Sequence, residues 1–295
     1  MRRMRNLRKN YYGYIFLAPF LVFFSIFMLV PLGYSFIISL FRFNGIETAK
    51  FVGLENFRFL LIDDTVFPLA LKNTFMFAVF IGPLGFIFSF LVAVYINNLK
   101  FKNAFALAFY APSITSGIAM TVIWMYFFSN DRFGLINHLL LKFGIINDPL
   151  LWSRNPVYIF PLVILITVWM GMGTGFLAFL AGLQNMPSEL YEQGRIDGIK
   201  GPIQELRHIT IPLMKPQLLF GSINAIVGSF SVFDIGMQFA GFPSPNYAAH
   251  TLVGHSYDYA FVRFEFGYSA AVATVLFIIT FSLGRIAMRV FRSGE

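Results

Sequence analysis

The stretch "NTFMFAVFIGPLGFIFSFLVAVYINNL" at residues 73–99, held between Lys72 and Lys100, contains no charged side chain. About 20 apolar residues in helical form cross the ~30 Å hydrocarbon core of a bilayer, so this run is long enough to span. Inside lipid every backbone N–H and C=O must be satisfied within the segment, and an isolated apolar run does that as a helix. Charge-free runs recur at 10–41, 103–130, 155–188 and 266–284, and a sixth apolar stretch, 217–241, is interrupted by Asp234 alone. The expected fold class is an all-α polytopic membrane protein with six transmembrane helices. The spans lie near 13–41, 73–98, 104–128, 157–183, 217–241 and 268–284, within one membrane domain covering 1–295. Composition agrees, with 57% hydrophobic and 12% charged residues and a mean hydropathy of +0.70, against about 25% charged in soluble domains.

The first run is too long for a signal-peptide core and holds Pro31 and Gly33 rather than a small-residue cleavage site, so it reads as a span. The absence of cysteine excludes disulfides and thiol chemistry. Net charge is +8, but its distribution argues for topology rather than nucleic acid. The N-tail, the 2–3 loop, the 4–5 loop and the C-tail hold 14 Lys/Arg, and the three alternate loops hold 8; acids divide 5 against 9 the other way, with Asp234 counted in the second set. The positive-inside rule then places both termini and the 4–5 loop in the cytoplasm. The run "MRRMRNLRK" at 1–9 reads as a topology anchor that also touches anionic lipid.

The 4–5 loop, 184–216, carries four acids and three basic side chains in "ELYEQGRIDGIKGPIQELRHITIP" (189–212). Pro187 and Ser188 are helix-start residues, and Ser188 is placed to cap a helix from Glu189. Leu190, Tyr191, Gly194, Asp197 and Gly198 share one side of that helix; Glu189, Glu192 and Arg195 lie on another, with Glu192 and Arg195 at i,i+3 spacing. Two glycines four apart cost about 1 kcal/mol each against alanine, which makes sense where another surface approaches closely. "GIKG" breaks the helix, and "PIQELRHITIP" forms a second short one ending at Pro212. Taken alone, such a loop fits a docking element or a solvated connector equally well.

Elsewhere, Gly171 and Gly175 in "GMGTG" have the spacing of close-packed membrane helices. Pro19, Pro31, Pro83 and Pro161 are candidate kinks. Asp234 is the one acid inside an expected span. Burying it unpaired costs at least about 2.5–3.5 kcal/mol, so it should face protein or water. Asn224, Ser229, Ser231 and Gln238 lie on the same span and offer donors and acceptors for a hydroxyl-rich solute; Trp169, Tyr257, Tyr259 and Tyr268 offer faces for sugar rings or form an interfacial belt. The candidate substrate-path set is Trp169, Asn224, Ser231, Asp234 and Gln238. A helix–helix hydrogen bond is the alternative role for Asp234. His250 and His255 lack a third metal ligand in the sequence, and no metal site is expected. No G-x-S-x-G elbow and no intramembrane histidine base are present, so no catalytic residues are assigned.

The loop resembles the signature segment of the membrane subunits of binding-protein-dependent ABC importers, whose pattern is E-A-A, three residues, G, nine residues, I-x-L-P. Glu192 matches the acid, Gly198 the glycine, and Ile209, Ile211 and Pro212 the closing group. Gln193-Gly194 replaces Ala-Ala, Ile211 replaces Leu, and ten residues separate Gly198 from Ile209. "YIFLAPFLVFFSIFMLVPLGYS" (14–35), "FVGLENFRFLL" (51–61), "ALKNTFMF" (70–77), "WMGMGTGFLAFLAGLQNMPSELYE" (169–192) and "FEFGYSAAVATVLF" (264–277) are similar to sugar permeases of the maltose and glycerol-phosphate type. "SFSVFDIGMQFAGFPSP" (229–245) resembles the first of the two permeases in such systems.

The resemblance implies the type I ABC importer permease fold in a bacterial or archaeal cell membrane. It also implies a coupling role for Glu189, Tyr191, Glu192, Gly194, Arg195, Asp197, Gly198 and Pro212, docked on an ATPase. The implied partners are a second homologous permease, two ATP-binding subunits, an extracellular sugar-binding protein and a sugar or oligosaccharide. No cofactor is expected on this chain, with ATP and Mg on the partner ATPase. The absence of any Gly-Lys dipeptide, and hence of a phosphate-cradling loop, agrees with that. An ion-coupled secondary transporter is the alternative, and it would want ionisable residues in several spans. A membrane-embedded enzyme would need a clustered catalytic set.

Overall fold

The computed structural model describes residues 11–292, so the basic run at 1–9 lies outside the described residues. Among the described residues three helices are long and apolar enough to cross a membrane alone: α1 (Gly13–Ile38), α2 (Phe67–Asn97) and the Phe266–Ile286 part of the last helix. Three further spans are bent pairs. These are α3 (Lys102–Ile114) with α4 (Gly117–Phe127) at 99°, α5 (Pro156–Met170) with α6 (Thr174–Gln184) at 45°, and, after α7 (Ser188–Ile196), α8 (Lys215–Phe230) with α9 (Asp234–Ala240) at 42°. The last helix is α10 (Phe266–Arg292).

The breaks do not fall at the four prolines flagged above, all of which lie within helices. They fall at Thr115–Ser116, Gly171–Gly173 and Ser231–Phe233. Serine and threonine hydroxyls offer the backbone local alternatives to the helical ladder, and glycine lacks the Cβ that holds it there. Thr115 Oγ1 donates to Ala111 O at 2.8 Å, Ser231 Oγ to Val227 O at 3.0 Å, and Gly173 N to Gly171 O at 2.8 Å. Gly171 therefore ends a helix, and the expected Gly171/Gly175 packing face does not exist. Gly175 instead meets Gly221, whose Cα lies 3.8 Å from where a Gly175 Cβ would be. A Cβ on Gly221 would fall 2.2 Å from Phe179 Cζ. These two glycines let α6 and α8 approach.

Contacts divide the chain into two compact units. The larger, Thr65–His255 with the described residues after Val275, is organised on α2. Near one end of α2, Phe90, Ala93 and Ile96 pack with Phe176, Phe179, Leu183, Met214 and Leu218. Near the other, Phe77 and Ile81 pack with Ile159, Val163, Ile166, Val232 and Phe239. That second end also holds the chain before α10. Asn73 Nδ2 donates to Tyr247 O (2.8 Å) and His250 O (3.0 Å), and Leu252 N donates to Thr74 Oγ1 (2.8 Å). The 3–4 connection is built on Asn137, 0% exposed. Its Nδ2 donates to Ser129 O, Asp131 O and Leu150 O, while its Oδ1 accepts from Leu150 N and Trp152 Nε1, all at 2.9–3.1 Å.

The smaller unit joins the described residues up to Asp64 to Ser256–Val275. A short hairpin, β1 (Phe41–Arg42) and β2 (Lys50–Phe51), pairs Phe41 with Phe51. Its turn is set by Asn44 Oδ1, which accepts from Ile46 N and Glu47 N. The hairpin seats on the start of α10, where a Cβ on Gly267 would lie 2.0 Å from Phe41 O.

Candidate functional site: a self-packed loop and a glycine-lined cavity

The 184–216 loop folds as two arms. α7 forms the first; the second runs from Pro202–Glu205 through a π-helical turn, Leu206–Thr210, into Ile211–Leu213. Ser188 is the first residue of α7 and not its cap, because Pro187 occupies that position and no side chain caps the end. Gly194 is buried, and the surface that approaches it belongs to the loop itself: a Cβ there would lie 2.6 Å from Ile209 Cδ1 and 3.2 Å from Ile199 Cδ1. Tyr191 OH lies 3.0 Å from Thr210 Oγ1 and 3.1 Å from Met186 Sδ. Arg195 is drawn across to Glu205, Nε to Oε1 at 2.9 Å, and not to Glu192 one turn back. These contacts close the base of the two arms.

The bend between the arms needs glycine. Gly198 has φ +93° and Gly201 has φ +90°, with open space around both; left-handed backbone of this kind is where glycine carries no steric cost. Glu189, Glu192, Asp197, Gly198 and Pro212 are exposed. The bend is flanked by Ile196, 85% exposed, and Ile203, 79% exposed. A loop that packs its own base while presenting two isoleucines outward is shaped to seat in an apolar recess of another chain.

The second feature is a cavity of about 280 Å³ at the break of the fourth span, beside α2 and α8. Ser89 of α2, Thr167 of α5, Thr174 of α6 and Asn224 and Ser229 of α8 supply its polar groups, and Gly171, Gly173, Gly221 and Gly228 supply bare backbone. Thr167 Oγ1 donates to Val163 O (2.6 Å), Ser229 Oγ to Ile226 O (2.8 Å), and Asn224 Nδ2 to Phe220 O (2.8 Å). With those hydrogens committed, the three side-chain oxygens remain as acceptors, and Asn224 keeps one N–H to donate. Such a lining suits a solute rich in hydroxyl donors.

Of the five expected path residues, the structure brings Asn224 alone to this cavity. Ser231 follows the last residue of α8 and lies across the break from Asp234, so the two do not share a helix face. Asp234 is exposed in the first turn of α9, where a carboxylate complements the helix dipole, so no unpaired charge is buried there. Gln238 follows one turn later on the same short helix. Trp169 packs edge-on to Trp124, with ring centroids 5.5 Å apart. Ser89, Thr167 and Thr174 escaped the sequence reading because a hydroxyl in an apolar helix gives no sign of whether it lines a cavity. His250 and His255 are buried together, with Nε2 and Nδ1 3.2 Å apart.

Comparison with known proteins adds the family. Residues 85–293 match the profile described as "Binding-protein-dependent transport system inner membrane component". The probable ABC transporter permease YesP of Bacillus subtilis (strain 168) is 32% identical, the match covering 100% of this chain and 94% of that one. The arabinooligosaccharide permease AraP of the same organism is 34% identical (94% and 87% covered), and the lactose permease LacF of Rhizobium radiobacter 32% (93% and 93%). A chain of a bacterial ABC transporter involved in alginate import has the same fold, with a TM-score of 0.82 at 19% identity over 99% of both chains. The chain therefore belongs to the binding-protein-dependent transport system inner membrane components, the permease subunits of ABC transporters.

Proposed function

We propose that this chain is a permease subunit of an ATP-driven carbohydrate importer. It forms half of the sugar path and couples to an ATPase through its 184–216 loop. Curated relatives named for arabinooligosaccharide and lactose transport support the carbohydrate class, and the hydroxyl-accepting cavity agrees with it. A solved transporter of the same fold was captured with an alginate pentasaccharide-bound periplasmic protein. In the same way this chain receives its sugar from an external binding protein and works beside a second, homologous permease. Two ATP-binding subunits hold the nucleotide and its Mg²⁺. Both termini and the coupling loop face the cytoplasm, as the charge distribution supports. At about 280 Å³ the cavity is near the small end of ligand pockets, about 300–1,000 Å³, so it takes a chain a ring or so at a time.

The observation that carries this reading is the exposed pair Ile196 and Ile203 around a glycine bend on a closed base. Burying one isoleucine in a partner is worth about 1.5–3 kcal/mol, and each 1.4 kcal/mol is about tenfold in affinity. The Ile196→Asp, Ile203→Asp double variant is therefore expected to lose the ATPase during purification by at least about tenfold. ATPase recovered at wild-type stoichiometry would show the loop to be a connector and return an ion-driven transporter to favour.

A further inference from the structure

One cleft of the smaller unit has no place in the path or the loop. Its volume is about 430 Å³, and Arg42, Glu55, Tyr259, Arg263 and Glu265 line it. Arg42 is ion-paired with Glu55, and Arg263 Nε lies 2.8 Å from Asp258 Oδ2 with its guanidinium 4.4 Å over the Tyr259 ring. Both arginines are thus already matched. Among the described residues Glu265 has no ion-pair partner and is exposed, so the cleft carries one carboxylate too many.

The backbone around it is fixed in an unusual form. Asp258–Val262 make a π-helical turn closed by Arg263 N donating to Asp258 O (3.0 Å), and Glu265 N donates back to Tyr259 O (2.7 Å). Between these bonds Phe264 is held at φ +59°. A side chain in left-handed backbone costs about 1–2 kcal/mol and persists where the surroundings impose it. The outcome is a knuckle, "FVRFE" at 261–265, on which Phe261, Val262 and Phe264 are 62%, 56% and 57% exposed. Behind it, the buried Asp64 accepts from Tyr259 at 3.1 Å and Tyr268 at 2.7 Å. Burial first, then the Asp64 charge, push the Tyr259 phenol up to about 12, so this donor does not titrate near neutrality.

We infer that this knuckle seats a lysine or arginine side chain of the external solute-binding protein. The Glu265 carboxylate takes the charge, and the exposed Phe261, Val262 and Phe264 surface covers the aliphatic stem. The inference rests on the importer reading, which supplies the partner. It adds a location, since the charge distribution places both 42–72 and 242–267 outside, and a chemistry. Aromatic side chains are enriched at protein interfaces, and a charge at an interface is met by its opposite on the partner. A bilayer surface, the competing occupant, would not favour a bare carboxylate among its contacts.

The test uses the complete importer in lipid nanodiscs, with ATP hydrolysis measured as its purified, sugar-loaded binding protein is titrated in. Glu265→Lys is expected to raise the half-saturating concentration by about tenfold or more at low salt, because like charges across an interface repel strongly. That rise should shrink near about 1 M salt, where screening acts over ~3 Å. Phe264→Gly should raise it several-fold; glycine accepts φ +59° without strain, so this variant removes the ring and spares the fold. Wild-type titrations from both variants, or a Glu265→Lys effect indifferent to salt, would overturn the inference and indicate a lipid-facing or inert knuckle. Wild-type complex that ignores its binding protein altogether would instead overturn the importer reading.

Discussion

A Gly194→Leu variant is expected to reach the membrane and lose most of its sugar transport, by about 5- to 150-fold, the range set by ~1–3 kcal/mol of overpacking. The cause lies within the loop. A Cβ at residue 194 already stands 2.6 Å from Ile209 Cδ1, so a larger side chain must prise the two arms apart and turn the tip that carries Ile196 and Ile203. Gly194→Ala should show the same defect more mildly, and adding Ile209→Ala should restore much of the loss by making room. Rescue of this kind is the mark of two residues in direct contact. Uptake of labelled sugar into vesicles and co-purification of the ATPase are the readouts. Failure of Ile209→Ala to rescue would mean that the closed base is not what sets the tip.

Gly228→Phe is expected to abolish uptake to a similar or greater degree while leaving the ATPase attached. Nothing lies within 4 Å of a Cβ at this position, so the ring enters the cavity shared with Thr167, Asn224 and Ser229 and does not displace a helix. Asn224→Ala, which removes polar atoms without blocking the space, should cost about one hydrogen bond, roughly 1 kcal/mol, and so lower uptake by about fivefold. Vesicles that transport normally with Gly228→Phe would show that sugar takes another route.

Much of the architecture could be read from charge alone. The run 73–99 lies in α2 as far as Asn97, and the uninterrupted apolar stretches announce helices whatever their neighbours. The need for glycine at residue 198 was legible too, since a charged helix ending in "DGIKG" has to turn. The three breaks were not legible, because Ser, Thr and Gly occur in straight and broken membrane helices alike and it is the surrounding packing that selects between them. Nor was the surface facing Gly194, because Ile209 lies fifteen residues on and reaches it through the fold of the loop. The cavity has the same character, drawing single hydroxyls from α2, α5, α6 and α8. Asp234, expected to face protein or water, is exposed in the first turn of α9, and the break at Ser231–Phe233 that puts it there left no mark in the sequence.

The α2 helix has a mechanical consequence. At one end Asn97, with Val94, borders the groove that Tyr191 and Arg195 of the loop also line; at the other Asn73 and Thr74 grip the backbone at Tyr247, His250 and Leu252. The helix continues between them as one element, with Pro83, which has no N–H to donate, inside it. A shove delivered at the loop is not absorbed along the way, since a packed helix transmits displacement nearly undiminished. On the proposed coupling, α2 works as a pushrod, and three hydrogen bonds at two adjacent side chains decide whether the backbone from Tyr247 to Leu252 follows its stroke.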